Sequence, residues 1–333
     1  MSEPIVVLDG VCRDFVRHAD YAERLAGWIT GRSGPSKVRA VDQVSLAVAP
    51  GEVLGVVGES GCGKSTLARM IAGILKPTSG TVRVNGADLS TAPEPERRAA
   101  SLGVQMVFQY PMASLNPRAR VVDIIGEAPV AHGLVTAREK ERYVAELLER
   151  VGLDPGTRRL YAHQFSGGQR ARIAIARALA VKPSVLVCDE STASLDVSIQ
   201  AQILNLFMKL RAEMGLTYVF VSHDLGVVEH ISDRIAVMYL GRVVELAETD
   251  TIFSAPRHPY TRGLLEEVPR LEPVKRRFAA VRGEMPSPLD PPSGCHFHPR
   301  CPIAGERCAA ERPELRRLES GEGAPRFAAC HLA

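Results

Sequence analysis

The sequence has no hydrophobic run long enough to cross a membrane as a helix. Its longest apolar runs, such as 53–57 and 184–188, have the length of single strands, whereas a membrane-spanning helix needs about 20 apolar residues. The first residues, Met1 to Pro4, also lack the basic and then apolar stretch of a secretory signal. We therefore expect a cytosolic chain whose role at any membrane depends on partners.

An excess of charge of one sign is also missing. The 333 residues include 41 basic and 38 acidic side chains, giving a net charge of +3 at pH 7, so no strong field indicates nucleic acid as the main partner. The composition is 45% hydrophobic and 24% charged, which excludes a wholly disordered, collagen-like or coiled-coil protein. The length predicts two folded units.

Cysteine is scarce, with seven residues, but its distribution is uneven. Four of the seven lie close to the C-terminus: Cys295, Cys301, Cys308 and Cys330. In a reducing compartment such a group is more typical of a metal or cluster site than of disulfides. The spacing lacks the close pair of most zinc sites, whereas four thiolates suit a [4Fe–4S] cluster. Four small buried side chains without any metal are the alternative.

The hydrophobic pattern from residue 51 alternates between strands and helices. Continuous apolar runs, as in strands buried on both faces, lie at 53–57, 184–188 and 217–221. Apolar residues recur with helical spacing at 67–75, 123–152 and 198–214. Shorter β patterns lie at 5–8, 40–48 and 235–246. Strands that alternate with helices predict a parallel α/β sheet.

Prolines become frequent from Pro256 onward and break any long periodic element. We predict one domain at 1–255, with a helical subdomain at about 110–180, and a small proline- and cysteine-rich region of loops and short helices at 256–333.

Residues 58–66 read Gly-Glu-Ser-Gly-Cys-Gly-Lys-Ser-Thr between a predicted strand and a predicted helix. This is the pattern of a P-loop, in the context that supports it. Its glycines let backbone N–H groups turn inward around phosphates, and the helix N-terminus adds positive charge. We expect Lys64 to reach the β- and γ-phosphates and the Ser65 hydroxyl to bind Mg²⁺. The predicted nucleotide-binding residues are Gly58, Ser60, Gly61, Gly63, Lys64, Ser65 and Thr66.

Two carboxylates, Asp189 and Glu190, follow the predicted strand at 184–188. Ligands bind at this carboxyl edge in α/β sheets, so we expect Asp189 to hold Mg²⁺ and Glu190 to polarise water for attack on the γ-phosphate. An acidic helix cap is the alternative for such a pair on its own. Its combination with a P-loop favours the catalytic interpretation.

Residues 165–170 read Phe-Ser-Gly-Gly-Gln-Arg before a helical run. Ser166 is a good helix N-cap, and the following Gly167 and Gly168 leave backbone donors exposed for a second anion. A single active site does not need a second anion site. Two chains facing head to tail would need it, because each would close the phosphate site of the other.

At this motif the sequence resembles the ATP-binding cassette (ABC) transporter ATPases, whose signature is [LF]-S-G-G-Q. The resemblance implies an α/β P-loop fold with a parallel sheet, a helical subdomain and an antiparallel β subdomain. It implies ATP and Mg²⁺ as ligands. The signature residues, which the resemblance assigns to the partner's ATP, are Ser166, Gly167, Gly168 and Gln169.

The same resemblance implies roles for four further residues. Gln109 matches the glutamine that contacts Mg²⁺ and the attacking water, and His223 matches the switch histidine at the γ-phosphate. Asp196 matches the D-loop, which crosses the dimer interface. Phe15 lies where the family has an aromatic ring that stacks on adenine, with Tyr21 and Trp28 in the same insertion as alternatives.

Four segments resemble the peptide/nickel importer branch of this family: 108–118, 196–202, 258–262 and 286–289. This resemblance implies uptake of di- or oligopeptides, or of nickel or another small solute. The implied partners are two integral-membrane permease subunits, a second ATPase subunit (identical or a paralogue) and, indirectly, a solute-binding protein. The implied location is the cytoplasmic face of the inner membrane, with 110–132 as the docking surface. Some members of this branch carry a [4Fe–4S] cluster at the cysteines.

Two other classes of function are alternatives to transport. A non-transport ABC ATPase acting on DNA or ribosomes would carry a long insertion in the cassette or a second cassette, and this sequence has neither. A P-loop kinase or switch GTPase would not have the Ser-Gly-Gly-Gln motif. The sequence therefore favours the transporter ATPase.

Overall fold

The computed structural model describes residues 3–17, 36–109, 114–193, 195–267, 283–318 and 325–333. The strands in these ranges are β1 (Val6–Arg17), β2 (Ser36–Val48), β3 (Val53–Val57), β4 (Ser79–Val84), β5 (Ala87–Asp88), β6 (Val104–Val107), β7 (Val185–Asp189), β8 (Thr217–Val221), β9 (Arg234–Tyr239), β10 (Arg242–Glu248), β11 (Arg316–Leu318) and β12 (Arg326–Ala328). The α-helices are α1 (Lys64–Ile71), α2 (Glu94–Gly103), α3 (Val121–Ala131), α4 (Lys140–Arg150), α5 (Gly167–Leu179), α6 (Val197–Met214), α7 (Leu225–Ile231), α8 (Thr249–Ser254), α9 (Pro259–Glu266) and α10 (Glu306–Ala310).

The larger sheet has the strand order β11-β12-β10-β9-β3-β8-β7-β6. Its five strands from β9 to β6 run parallel. Every residue of β3, β7 and β8 is buried, as the continuous apolar runs predict, because helices cover both faces of such a sheet. The parallel arrangement brings the carboxyl ends of β3, β8, β7 and β6 to one edge, where the candidate site lies.

The other three strands of this sheet pair antiparallel, and two of them come from the C-terminal region. The sequence predicts only loops and short helices there, which is wrong for β11 and β12. Each has three residues, too few for an alternating pattern to be visible. Arg326 strengthens the attachment of β12 to β10, because its side chain donates to the fully buried carboxylate of Glu245 on β10 at 2.8 Å.

The smaller sheet is antiparallel, in the order β2-β1-β4-β5. Strand β1 continues past the predicted strand at 5–8 through Gly10 (φ 54°), and β2 begins at Ser36, before the predicted 40–48, with Gln43 (φ 52°) within it. Such residues interrupt the alternating pattern while the pairing continues with shifted register. Tyr21 and Trp28 lie outside the described residues.

The predicted helical stretch 123–152 forms two helices, α3 and α4, which pack against each other and against α5. The chain turns between α3 and α4 at Gly133, whose φ is 69°. Ile125, Val144, Leu148 and Ile173 are fully buried in their shared core, and each contributes about 1.5–3 kcal/mol to folding. Among the helices in the described ranges, none has the length and apolar character to span a bilayer.

Candidate active site

Four loops meet at the carboxyl edge of the parallel strands. Gly58 follows β3, Asp189 ends β7 and Glu190 comes directly after it. Gln109 and His223 each lie two residues beyond their strands, β6 and β8. Because β3, β8, β7 and β6 are neighbours in that order, residues far apart in sequence become neighbours in space.

The P-loop requires glycine at two positions for steric reasons. A Cβ on Gly58 (φ 149°) would lie 2.2 Å from the carbonyl oxygen of Met238, and one on Gly63 (φ 106°) would lie 2.2 Å from that of Ala40. Helix α1 then begins at Lys64 without a side-chain cap. Its first N–H groups are therefore suited to binding an anion.

The remaining predicted nucleotide-binding residues line the same loop. Ser60 and Gly61 are exposed at its tip, and Ser65 and Thr66 are half-buried in the first turn of α1. Lys64 is buried, and its Nζ donates to the carbonyl oxygens of Gly58 (2.7 Å) and Glu59 (3.0 Å). The fold thus fixes one positive charge inside the loop.

The side chains of Ser65 and Asp189 form a pair of oxygen ligands suited to Mg²⁺. The Ser65 hydroxyl donates to Oδ1 of Asp189 at 2.8 Å. Asp189 is only 4% exposed, and this burial raises the pKa of its carboxyl above the ordinary value, although the bond from Ser65 lowers it. A nearby cation would offset the cost of burying this carboxylate.

The carboxylate of Glu190 is contacted by two of the predicted catalytic residues. Its Oε2 accepts a hydrogen bond from Nε2 of Gln109 at 2.7 Å and lies 3.4 Å from Nδ1 of His223. The backbone of Glu190 has φ 46°, a conformation that costs about 1–3 kcal/mol and is common at functional sites. Its N–H bonds to the carbonyl oxygen of Val221 at 3.0 Å, which holds this conformation in place.

The signature residues begin helix α5 in a reciprocal capping box. Oγ of Ser166 accepts from the N–H of Gln169 (3.3 Å), and Oε1 of Gln169 accepts from the N–H of Ser166 (2.9 Å). The predicted N-cap is therefore confirmed. Gly168 packs so closely on Ile199 that a Cβ would lie 2.7 Å from its Cγ2, and Gly167 leaves the helix start uncovered by a side chain.

The predicted D-loop residue, Asp196, is exposed and precedes α6. Ser194, earlier in the same loop, lies outside the described residues. The next residue, Val197, is 83% exposed. The loop thus presents an acidic and an apolar side chain together at the surface.

Comparisons with known proteins decide the family. The sequence profile described as ABC transporter matches residues 41–193, and the profile described as Oligopeptide/dipeptide transporter, C-terminal region, matches residues 244–308. A probable peptide ABC transporter ATP-binding protein of Sinorhizobium fredii is 49% identical over 92% of this chain and 86% of its own length. The Di/tripeptide transport ATP-binding protein DppF of Pseudomonas aeruginosa is 46% identical over 96% of each chain. This chain belongs to the oligopeptide/dipeptide family of ABC transporter ATPases.

The fold of this ABC ATPase agrees with that of a solved relative. An ATP-binding cassette determined as a dimer in a post-hydrolysis state, with ADP and phosphate bound, is 28% identical and superposes with a TM-score of 0.61. The match covers 73% of this chain and 98% of that one. The expected fold class is confirmed, and as a member of this family the ABC ATPase is an ATP-hydrolysing subunit of a transporter.

Phe15, the predicted adenine-stacking residue of the ABC ATPase, lies on β1. Its side chain is 40% exposed, and the guanidinium of Arg13 lies over the ring at 4.8 Å from the centroid. The ring is therefore accessible, with a positive charge beside it.

The four C-terminal cysteines of the ABC ATPase line one small cavity, together with His298 and His331. All seven cysteine side chains are thiols rather than disulfides. Burial raises the pKa of Cys295, Cys301 and Cys330, so a positive charge in the cavity would be needed to keep these groups as thiolates. Within the described parts of the chain, no group of three or more His, Cys, Asp or Glu residues could hold a single metal ion.

Sequence reasoning missed a contact between the C-terminal region and the P-loop. The N–H of Glu59 donates to the phenol oxygen of Tyr260 at 2.8 Å, and both carboxylate oxygens of Glu59 accept from Nη1 of Arg300 at 3.0 Å. Tyr260 belongs to the 258–262 segment that indicates the importer branch, which was a signal without an assigned role. Arg300 is 241 residues from Glu59, and no local pattern could have paired them.

Proposed function

We propose that this ABC ATPase powers the import of di- or oligopeptides through separate membrane subunits. The observation that carries the ATPase mechanism is the double contact of Glu190 with Gln109 and His223, beside the Ser65–Asp189 pair. The peptide cargo is supported by the relatives, which are named as peptide and di/tripeptide transport proteins. Nickel or another small solute, carried by the same architecture, is the alternative.

Binding of ATP is assigned to the P-loop and the Ser65–Asp189 pair. Backbone N–H groups at the start of α1 and the ammonium of Lys64 bind the β- and γ-phosphates. Ser65, Asp189 and Gln109 hold Mg²⁺, because hydroxyl, carboxylate and amide oxygens are the ligands that this ion prefers. Mg²⁺ supplies charge neutralisation between the phosphates. Adenine stacks on Phe15.

Hydrolysis is assigned to Glu190 as the group that polarises the attacking water. Gln109 and His223 fix the direction of its carboxylate, and positioning of this kind provides much of the acceleration in phosphoryl transfer. The strained backbone of Glu190 supports this role, since the fold maintains there a positive φ that is unfavourable for a residue with a side chain.

Each catalytic site is completed by a second ATPase subunit. The start of α5, at Ser166, Gly167, Gly168 and Gln169, closes the partner's phosphate site with backbone donors and the helix dipole. The exposed pair Asp196 and Val197 supports this assembly, because an apolar side chain that is 83% exposed gains free energy when a partner covers it.

We propose a peripheral location on the cytoplasmic face of the inner membrane, bound to two permease subunits that receive solute from a solute-binding protein. The docking surface is 110–132, of which residues 114–132 are described and Tyr110 to Ala113 are not. Asn116, Arg118 and Arg120 are exposed there, directly after the Gln109 loop. A shift of the Gln109 loop when nucleotide binds would therefore change the surface that contacts a bound permease.

We propose that the cysteines hold a [4Fe–4S] cluster with a structural role. Four thiols around one cavity are the donor set of such a cluster. Cys295, Cys301, Cys308 and Cys330 would supply the four thiolates that hold such a cluster.

The chain divides into an ATPase domain at 1–255, with its helical subdomain at about 110–180, and a C-terminal region at 256–333.

The mechanism is tested with Glu190→Gln. This variant should bind Mg-ATP normally, lose turnover by on the order of 10²–10⁴-fold, and accumulate as a dimer in light scattering. Adding Ser166→Arg to the same chain should abolish the dimer, since the signature then cannot approach phosphate. Undiminished hydrolysis by Glu190→Gln would contradict the role of Glu190. An ATP-loaded Glu190→Gln variant that stays monomeric would contradict the shared dimeric site.

The cargo is tested separately, by co-purifying the membrane subunits and reconstituting them with their receptor. Di- and oligopeptides should stimulate ATP hydrolysis, whereas Ni²⁺ should not. The reverse pattern would establish the alternative.

A further inference from the structure

Every polar group of Glu59, the second residue of the P-loop, is bonded. Its carbonyl oxygen accepts from Nζ of Lys64 at 3.0 Å. Its N–H donates to the hydroxyl of Tyr260, and its carboxylate accepts from Arg300. The loop that is expected to wrap the phosphates is therefore anchored by two side chains from the C-terminal region.

Both anchoring side chains are themselves held rigidly. Tyr260 is fully buried, and its ring packs against those of Tyr239 (4.7 Å between centroids) and Phe297 (5.4 Å). The side chain of Arg300 is 6% exposed, and its guanidinium lies near the same two rings. The Glu59 side chain is 23% exposed, so the pair is partly buried, and removing Glu59 would leave the charge of the buried Arg300 uncompensated.

The anchor is continuous with the cysteine cavity. Arg300 ends a short 3₁₀ turn, His298–Arg300, between Cys295 and Cys301. The N–H of His298 bonds to the carbonyl oxygen of Cys295 at 2.9 Å. Phe297 lines the cavity together with the cysteines and also contacts Tyr260. A rearrangement of the cysteines would therefore move the turn that carries Arg300.

We propose that Tyr260 and Arg300 are positioning residues that fix the P-loop in its phosphate-binding conformation and connect it to the cysteine-bearing turn. The proposal rests on the proposed function of the P-loop. A loop that binds phosphate through backbone N–H groups binds tightly only when those groups are already oriented, since otherwise ordering the loop opposes binding. Nucleotide affinity then depends on the C-terminal region, which makes no assigned contact with nucleotide.

The test measures the Kd for Mg-ATP, together with kcat and KM, on the full chain. Arg300→Gln and Tyr260→Phe should each raise Kd and KM by about tenfold, as expected for loss of a buried hydrogen bond to a charged or loop-fixing group, with kcat changed less than threefold. Arg300→Lys should restore part of the affinity. Cys301→Ser should raise Kd in the same direction through the turn.

Arg307→Gln is the matched control. It also removes an arginine–glutamate bond, to Glu311 at 2.7 Å, but that bond is exposed and stays within α10 and its C-cap. This variant should leave Kd unchanged. A double variant, Glu59→Gln with Arg300→Gln, should bind no more weakly than Arg300→Gln alone, because the two residues act through one bond.

The outcomes separate this proposal from the one on which it rests. If Lys64→Ala leaves nucleotide affinity unchanged, the proposed function of the P-loop fails. If Lys64→Ala weakens nucleotide binding while Arg300→Gln and Tyr260→Phe do not, only the anchoring proposal is overturned. A lower melting temperature of Arg300→Gln or Tyr260→Phe with an unchanged Kd would overturn the anchoring proposal in the same way. Where Arg300→Gln does not fold, Tyr260→Phe decides, since it removes one hydroxyl and keeps the ring packing. An unchanged Kd in Cys301→Ser would overturn the connection to the cysteines.

Discussion

The side-chain amide of Gln109 donates a hydrogen bond to the carboxylate of Glu190 at 2.7 Å, across 81 residues of sequence. The two residues follow neighbouring parallel strands, β6 and β7. The loop that carries Gln109 leads into the proposed permease-docking surface, whereas Glu190 directly follows β7. A shift of Gln109 would therefore change the orientation of the group proposed to polarise water.

Replacing Gln109 with Ala should lower kcat for ATP hydrolysis by on the order of 10²-fold and change the Kd for Mg-ATP much less, because Glu190 loses the group that orients it while the P-loop, Ser65 and Asp189 still hold Mg-ATP. Steady-state kinetics and nucleotide titration check this. Gln105→Ala is the matched control, since the amide nitrogen of Gln105 donates to backbone oxygens of α2, at Ser101 and Leu102. Equal kcat in both variants would contradict the role of Gln109.

Gly63→Ala should abolish nucleotide binding and lower the free energy of unfolding by more than the ~1–2 kcal/mol that a left-handed conformation costs an alanine. The added Cβ would lie 2.2 Å from the carbonyl oxygen of Ala40, so the loop or β2 must move. Gly86→Ala is the control, because Gly86 also has positive φ (79°) but has open space around it. Urea unfolding and ATP titration of both variants measure the difference, and similar losses in the two would show that steric crowding at Gly63 does not matter.

Stability should decline as the pH falls from about 6.5 toward 4, in part because of His258. This side chain is 1% exposed and caps α9 through Nδ1. Burial lowers its pKa to about 4, although Glu245 opposes the shift. The unfolded chain therefore takes up a proton at higher pH than the folded chain, and protonation favours unfolding.

Between pH 7.5 and pH 5 this difference should cost the wild type about 2 kcal/mol of unfolding free energy. His258→Gln should lose that part of the pH dependence, while its amide oxygen can still accept from the N–H of Tyr260. Denaturant unfolding at both pH values measures it. His296 has a similarly lowered pKa and is present in both proteins, so its contribution cancels; identical pH slopes would exclude His258.

Anaerobically purified protein should contain about four iron and four sulfide per chain and absorb visible light, as a [4Fe–4S] cluster does. Cys308→Ser should lose the iron, because Cys308 lies on the cavity that all four cysteines share. Cys12→Ser should keep it, since Cys12 lies on β1 and bonds to the backbone of Gln43 and Gly10. A colourless and iron-free wild type would exclude the cluster.

Most of the fold around the site follows from local sequence patterns. The P-loop, the strands β3, β7 and β8, and the capped start of α5 are each encoded by a short contiguous segment whose steric and hydrogen-bonding needs are met locally. The strands predicted at 5–8 and 40–48 were too short, because the pairing of β1 with β2 continues beyond the register shifts to Arg17 and Ser36. Strands β11 and β12 were missed because three residues carry too little pattern and gain their stability from pairing with β10.

The sequence by itself determined that this chain binds nucleotide, where its phosphate loop lies and which carboxylates follow a second buried strand, because glycine placement and apolar periodicity express backbone geometry directly. Only the tertiary structure showed that Gln109 and His223 both contact the carboxylate of Glu190, that four cysteines line one cavity, and that Arg300 bonds to Glu59. The contacts of Glu190 and Glu59 join residues tens to hundreds of positions apart. Their partners are selected by the order of strands in the sheet and by burial, which no local pattern contains.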